Sequence, residues 1–259
     1  MLPSALEHVQ EIAGAGDRSL AIFLDYDGTL TPIVSHPDKA FLSDSMRQTL
    51  QGLAMRASLA VLSGRDLDDV RKRVAIDGIV YAGSHGFDIA GPRRLRRQQA
   101  TKFLPALDGA EKELREKLAG ITGALIERKR FSLAAHYRNV NESYFPELDR
   151  AVSEVAARHR ELRTMEGKKV YELLPNTDWN KGKAVLWLLE NLGLEHGKVR
   201  PIYIGDDRTD EDAFRALGQC GTGILVSEQP RSTAAHYALK NPAEVERFLQ
   251  ELIEMTKLE

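Results

Sequence analysis

The chain of 259 residues holds a single cysteine, Cys220, which excludes any intrachain disulfide and fits a reducing compartment. No apolar run approaches the roughly 20 residues that a membrane-spanning helix requires. The first residues, MLPSALEHVQEIAGAG, lack a basic start followed by an apolar stretch, so no secretory leader is expected and the setting read from the sequence is cytoplasmic. A formal net charge of −2 gives no global excess of either sign that would draw the chain to nucleic acid or to a membrane surface. Repeats and low-complexity tracts are also missing. A hydrophobic fraction of 42% with 29% charged residues leaves a soluble globular protein with room for one large domain or two small ones.

The chain is organised around residues 20–31, LAIFLDYDGTLT. The apolar run Leu20 to Leu24 ends at a glycine turn, the pattern of a strand buried on both faces in a parallel sheet. Asp25 and Asp27 then emerge at its carboxyl end, where ligands bind in open α/β sheets. Their i, i+2 spacing on extended backbone points both carboxylates the same way. Such a pair attracts a hard, oxygen-seeking cation such as Mg²⁺, which carries phosphate substrates with it. Gly28 permits a turn, and Thr29 is a candidate cap for the next segment of chain.

Other apolar runs end in polar clusters of their own. Leu59 to Leu62 leads into Ser63-Gly64-Arg65, and a helix starts at once, with Asp66, Asp68 and Asp69 in its first turn. A hydroxyl and free amides at a helix start make Ser63 either an anion ligand or a plain N-cap. Ile79 to Ala82 leads into Gly83-Ser84-His85-Gly86, where His85 either touches a ligand or bonds its own loop. Ile202 to Ile204 leads into Gly205-Asp206-Asp207-Arg208-Thr209-Asp210. There Thr209 is expected to cap a helix, with Asp212 as the acidic member of a capping box. Asn180-Lys181-Gly182-Lys183 opens another helix. The four arginines of residues 91–99, GPRRLRRQQ, read as a solvated hairpin or linker rather than a nucleic-acid patch, because no aromatic residues interleave them.

From about residue 102 the pattern changes. Helices are expected over 106–119 and 142–159, and strands over 123–128, 131–137, 162–166 and 169–174. An antiparallel αββαββ block between parallel βα units reads as a separate small domain, a candidate lid. Alternation along its strands sets Glu127, Lys129, His136, Arg138 and Glu172 on the sheet. That is either a solvated face or a set of groups suited to a polyhydroxylated ligand.

The ordered stretches DYDGT, SGR, a lysine at a helix start, and GDD resemble the four motifs of the haloacid-dehalogenase (HAD) superfamily. Within it, FLDYDGTLTPI, VLSGRDLDDV, YAGSHG, IERKRFSLAAHYR, VYELLPNTDWNKGKAV and YIGDDRTDEDAF resemble the trehalose-6-phosphate phosphatases over essentially the whole chain. The resemblance implies a HAD-like α/β fold. It consists of a Rossmannoid three-layer parallel-sheet core, residues 1–101 and 179–259, with an α+β cap inserted at 102–178. It implies Mg²⁺-dependent hydrolysis of a phosphosugar through an aspartyl phosphate. Asp25 is then the nucleophile and Asp27 the general acid and base, with Ser63 and Lys181 (less so Lys183) on the phosphoryl oxygens. Substrate contacts are implied for Arg65, His85, Gly86, Glu127, Lys129, Arg138 and Glu172. Metal contacts are implied for Asp25, Asp27 and Asp206, with Asp207 or Asp210 in or near the shell. A trehalose-6-phosphate synthase of the same pathway is the implied partner. Other phosphosugars (sucrose 6-phosphate, mannosyl-3-phosphoglycerate, glucosylglycerol phosphate), a phosphomutase, and a non-catalytic sugar-phosphate sensor stay open at this point.

Overall fold

The structure is a computed structural model that describes residues 2–14, 18–34, 37–167, 169–194 and 197–256. Gly-Ala-Gly of 14–16, read from the sequence as the stop of a short first helix, lies partly outside these. The chain forms two compact units, one of residues 1–97 with 179–259 and one of residues 98–178.

The first unit is built on strands β1 (Ser19–Asp25), β2 (Ser58–Leu62), β3 (Val80–Gly83), β4 (Asp88–Ala90), β5 (Arg96–Gln98, which runs one residue past the unit boundary), β10 (Val199–Gly205), β11 (Thr222–Val226) and β12 (Tyr237–Leu239). Their order is β12-β11-β10-β1-β2-β3-β4-β5, with β1 between β10 and β2 in parallel register. Ile22 stands opposite both Ile202 and Leu59. The antiparallel β4 and then β5 close one edge, so GPRRLRRQQ, read as a hairpin or linker, supplies the turn and second strand of a hairpin.

Alternate residues of the central strands face opposite layers. Leu20, Ile22, Leu24, Leu59, Val61, Ile202 and Ile204 share a buried core with helices α1 (Val9–Ala13), α2 (Asp44–Ala54), α3 (Leu67–Val74) and α8 (Pro242–Met255). Tyr203 points the other way and meets Phe214 of α7 (Asp210–Leu217) edge-on at 5.7 Å between ring centroids. Helix α6 (Lys181–Asn191) packs beside α7. Helix α2 starts where Ser43 Oγ accepts from the Met46 amide at 3.1 Å.

The second unit is a four-stranded antiparallel sheet of β6 (Leu125–Arg128), β7 (Leu133–His136), β9 (Val170–Pro175) and β8 (Leu162–Gly167), in that order. Helices α4 (Leu104–Leu118) and α5 (Phe145–Arg158) cover one face. There Leu107, Leu114, Leu148 and Val155 pack on Ile126, Leu133, Ala135 and Leu173. The αββαββ order is the one read from the sequence. No described helix is long and apolar enough to cross a membrane.

Candidate active site

The carboxyl ends of β1, β2 and β10 and the start of α6 supply the four motif stretches, with the Ser84–Gly86 turn after β3 beside them. Lys181, the first residue of α6, is 1% exposed, and its Nζ donates to Asp25 Oδ1 and Asp210 Oδ1, each at 2.7 Å. A lysine is tolerated at such depth only because two carboxylates meet it. Burial works against the ammonium, yet Asp210 and Asp25 hold its pKa well above the ordinary lysine value. Lys183, by contrast, serves the helix start, its amide donating to Asn180 Oδ1.

Asp210 is saturated. Its Oδ1 accepts from Lys181 and from the Tyr203 hydroxyl at 2.6 Å, and its Oδ2 accepts from the amides of Asp206 and Asp207, both at 2.9 Å. Four donors on one fully buried carboxylate make it the anchor of the Asp206-Asp207 turn. Tyr203, which places one of those donors, was not singled out from sequence.

Two expectations about this turn are corrected. Thr209 does not cap α7; Asp207 Oδ1 does, accepting from the Thr209 amide and hydroxyl and the Asp210 amide at 2.7, 2.6 and 3.2 Å. Thr209 already has helical backbone angles, so its hydroxyl cannot reach forward over the first turn. Asp212 is not part of a capping box and instead pairs with Arg215 one turn on. Thr29 caps nothing either: it is fully buried, and its hydroxyl finds no hydrogen-bond partner among the described residues.

Asp25, Asp206 and Asp210 offer carboxylate oxygens that all lie within 4.8 Å of one another. Burial, together with Asp210 and Asp207, pushes the Asp206 carboxyl up to about 8. Asp25 is likewise raised well above its ordinary value by burial and by its acidic neighbours, against the pull of Lys181. Asp206 Oδ1 is buried without a hydrogen-bond partner among the described residues. Gly28, at φ +89°, brings the β1 turn so close that a Cβ there would overlap the Asp206 carboxylate. One ammonium does not balance three carboxylates, of which Asp25 and Asp210 are buried and Asp206 half-buried, and Asp206 Oδ1 has no hydrogen-bond partner among the described residues. The donor set therefore fits a hard divalent cation. The side chains of Asp27 and Asp207 stand outside this group.

Asp27 faces Arg65. The guanidinium grips it with two bonds, Nε to Oδ2 at 2.7 Å and Nη2 to Oδ1 at 2.6 Å, and also donates to Asp69 at 3.0 Å. Burial disfavours the Arg65 charge, but these two carboxylates more than restore it and raise its pKa. Asp69 is a further partner, which the sequence placed only in the first turn of the helix. It also accepts from Arg73 Nε at 2.9 Å, so a charge chain Arg73–Asp69–Arg65–Asp27 runs along α3.

Ser63 is 1% exposed, and its Oγ accepts from the Arg65 amide at 3.1 Å. It is not the N-cap of α3, a position held by Asp66. The Ser84 and His85 amides donate to the carbonyls of Arg65 and Ser63 at 2.6 and 2.8 Å, which ties the SGR and SHG turns together. Ser84, His85 and Gly86 have φ of 49°, 57° and 88°, all left-handed. For the serine and histidine that conformation costs on the order of 1–3 kcal/mol each and persists only where the surroundings impose it.

In the second unit, Glu127, Ala134 and Glu172 stand side by side in register across β6, β7 and β9. His136 Nε2 and Glu127 Oε2 are 2.7 Å apart, and this hydrogen bond, against burial, lowers the Glu127 pKa. Glu172 is 9% exposed; its Oε1 accepts from Ser132 Oγ at 2.7 Å and faces Lys129 Nζ at 3.5 Å. Ser132, fully buried, is a site residue the sequence did not flag. Arg138 follows β7 and is exposed.

A family model described as trehalose-phosphatase matches residues 23–243. "Probable trehalose-phosphate phosphatase D" of Arabidopsis thaliana is 44% identical over 271 residues, covering 99% of this chain and 73% of that protein. Trehalose-phosphate phosphatase B of the same plant is 42% identical, with 97% and 71% covered. Among solved structures, a trehalose-6-phosphate phosphatase related protein superposes with a TM-score of 0.79 at 26% identity, covering 92% of this chain and 98% of that one.

Proposed function

The chain belongs to the trehalose-phosphatase family, and from that premise we infer that it hydrolyses trehalose 6-phosphate to trehalose and inorganic phosphate with Mg²⁺. The observation that carries this reading is the constellation of Asp25, Lys181, Asp210 and Asp206 at the ends of β1 and β10. The match of the whole chain to named phosphatases then supplies the substrate class.

Asp25 attacks phosphorus through a carboxylate oxygen. The bond from phosphorus to the sugar oxygen breaks, and Asp27 gives its proton to the departing alkoxide. Water then attacks the aspartyl phosphate while Asp27 takes the proton back; phosphate leaves and Asp25 is restored. Asp25, Asp206 and the Asp27 carbonyl would hold Mg²⁺, which when bound offsets the repulsion between a carboxylate and a phosphate dianion. Asp210 serves as the anchor for Lys181 and the Asp206 turn. Ser63, Arg65 and Lys181 bind phosphoryl oxygens. Because Arg65 occupies Asp27 in the structure, phosphate must draw the guanidinium off before Asp27 can work. Chelation by EDTA is expected to abolish phosphate release and added Mg²⁺ to restore it; activity that survives chelation would mean that the reaction needs no metal.

The second unit is the specificity cap, with Glu127, Lys129, His136, Arg138 and Glu172 holding sugar hydroxyls. A site built to hydrogen-bond hydroxyls rejects ligands that lack them. Glu127→Ala or Glu172→Ala is expected to lower kcat/KM on trehalose 6-phosphate by about 10²-fold, the scale of one to two lost charged hydrogen bonds. The same variants leave a small aryl phosphate nearly unaffected. Equal losses on both substrates would contradict a sugar-binding role. A trehalose-6-phosphate synthase would supply the substrate, and a reducing cytoplasmic setting suits the one thiol, Cys220.

A further inference from the structure

Both tryptophans of the chain lie in one cluster, which the mechanism above does not use. Trp179 is the residue at which the chain re-enters the first unit, immediately before the Asn180 cap of α6, and it is 7% exposed. Its indole Nε1 donates to the Gly86 carbonyl at 2.8 Å, a buried bond between residues 93 apart in sequence. Trp187 stands two turns further along α6. The guanidinium of Arg97, the last residue before the chain leaves the first unit, sits between the rings, 4.6 Å from the Trp179 centroid and 4.9 Å from that of Trp187. A cation between two indole faces fixes both.

The bond from Trp179 lands on a segment that needs outside support. Ser84, His85 and Gly86 are consecutively left-handed, and the Ser84 and His85 amides are stitched to the Arg65 and Ser63 carbonyls. Only glycine of the three takes that backbone without penalty. The Gly86 side is close-packed as well: a Cβ there would stand 2.6 Å from Ala184 of α6. The indole N–H is thus a polar tie on this turn, added to the Ser84 and His85 amides and to the Ser84 hydroxyl that donates to Asp66.

We propose that Trp179, locked by the Arg97–Trp187 stack, is a positioning residue that holds the Ser84–Gly86 turn, and through it the Ser63–Arg65 loop, in the geometry that receives the substrate's phosphate. The proposal rests on the phosphatase reading given above. It assigns to the indole N–H an effect on phosphate binding without any contact to substrate.

The test is Trp179→Phe, which keeps an aromatic face for Arg97 and removes the N–H, with Trp187→Phe as comparison. Steady-state kinetics are run on trehalose 6-phosphate and on p-nitrophenyl phosphate. Trp179→Phe is expected to raise KM on both substrates by about three- to tenfold, the effect of one buried hydrogen bond, with kcat changed by less than about twofold. Trp187→Phe is expected to leave KM unchanged. A Trp179→Phe enzyme with wild-type KM, or one that loses kcat alone, would overturn the proposal. Should Trp179→Phe fail to fold, Trp187→Phe carries the test by itself, because Trp179 is then the sole tryptophan. Titration with inorganic phosphate in the presence of Mg²⁺ is expected to shift its emission saturably, and emission that phosphate does not move would overturn the proposal. Absence of turnover in the unmodified enzyme would instead refute the phosphatase reading, an outcome separate from all of these.

Discussion

Asp25→Asn is expected to eliminate turnover, with phosphate release falling by at least about 10⁴-fold, the scale seen when a nucleophile is removed. The substitution is nearly isosteric, so the buried end of β1 keeps its packing. The amide oxygen can still accept from Lys181 Nζ, which lies 2.7 Å from Asp25 Oδ1. What is lost is the carboxylate electron pair that bonds to phosphorus. The same change removes one negative charge from a cluster in which burial already raises Asp25 and Asp206. The folded state should therefore be no less stable than wild type. The measurement is phosphate release under single-turnover conditions together with a thermal melt. A stable variant retaining activity within about tenfold of wild type would exclude Asp25 as nucleophile.

Lys181→Met is expected to damage both stability and activity. Removing one partner of a buried ion pair leaves the other uncompensated and costs about 3–5 kcal/mol. Here two carboxylates, Asp25 and Asp210, lose the same ammonium, and neither can turn to water, since Asp210 is fully buried and Asp25 is 5% exposed. Without Lys181 both carboxyls are raised further above their unfolded values, and a raised carboxyl destabilises the fold while it is ionised. The cost is largest at alkaline pH and shrinks as pH falls and the acids take up protons. The difference in melting temperature between wild type and Lys181→Met should thus be smaller near about pH 5 than near about pH 8. A difference independent of pH would mean that the lysine acts through packing alone. Activity should fall even at temperatures where the variant stays folded, because the phosphoryl oxygens lose a cation as well.

The parts of the site that lie next to a buried strand were legible in the sequence. DYDGT, SGR and GDD each follow an apolar run, and a parallel strand delivers its last residues to one edge of the sheet whatever the loops do afterwards. Glu127 and Glu172 were legible for a related reason: period-two alternation fixes their face, and pairing through Ala134 fixes their row. The features with no sequence signal act between distant residues. Ser132 reaches Glu172 over 40 residues and Trp179 reaches Gly86 over 93, and neither has a local pattern to announce it. Tyr203 sits in an apolar strand run, and only the fold brings its hydroxyl onto Asp210. The Thr209 cap failed on a local competition. Asp207, two residues earlier, takes the Thr209 and Asp210 amides with a charged oxygen, and the threonine hydroxyl becomes another of its donors.

Arg65 was expected near substrate, and its grip on Asp27 gives that expectation a sharper form. A general acid held by a guanidinium cannot deliver a proton, so phosphate must compete for Arg65 before the leaving group can depart. On the proposed mechanism this ties the acid's release to arrival of the correct group and leaves Asp69, already paired with Arg73, to hold the displaced arginine.

The most direct test is inorganic phosphate released from a panel of phosphosugars (trehalose 6-phosphate, sucrose 6-phosphate, mannosyl-3-phosphoglycerate and glucosylglycerol phosphate) with Mg²⁺, using Asp25→Asn as the blank. Release with a strong preference for trehalose 6-phosphate and a blank at background is the expected result. Equal rates across the panel, or no release from any member by a folded enzyme, would contradict the assignment of this chain as a trehalose 6-phosphate hydrolase.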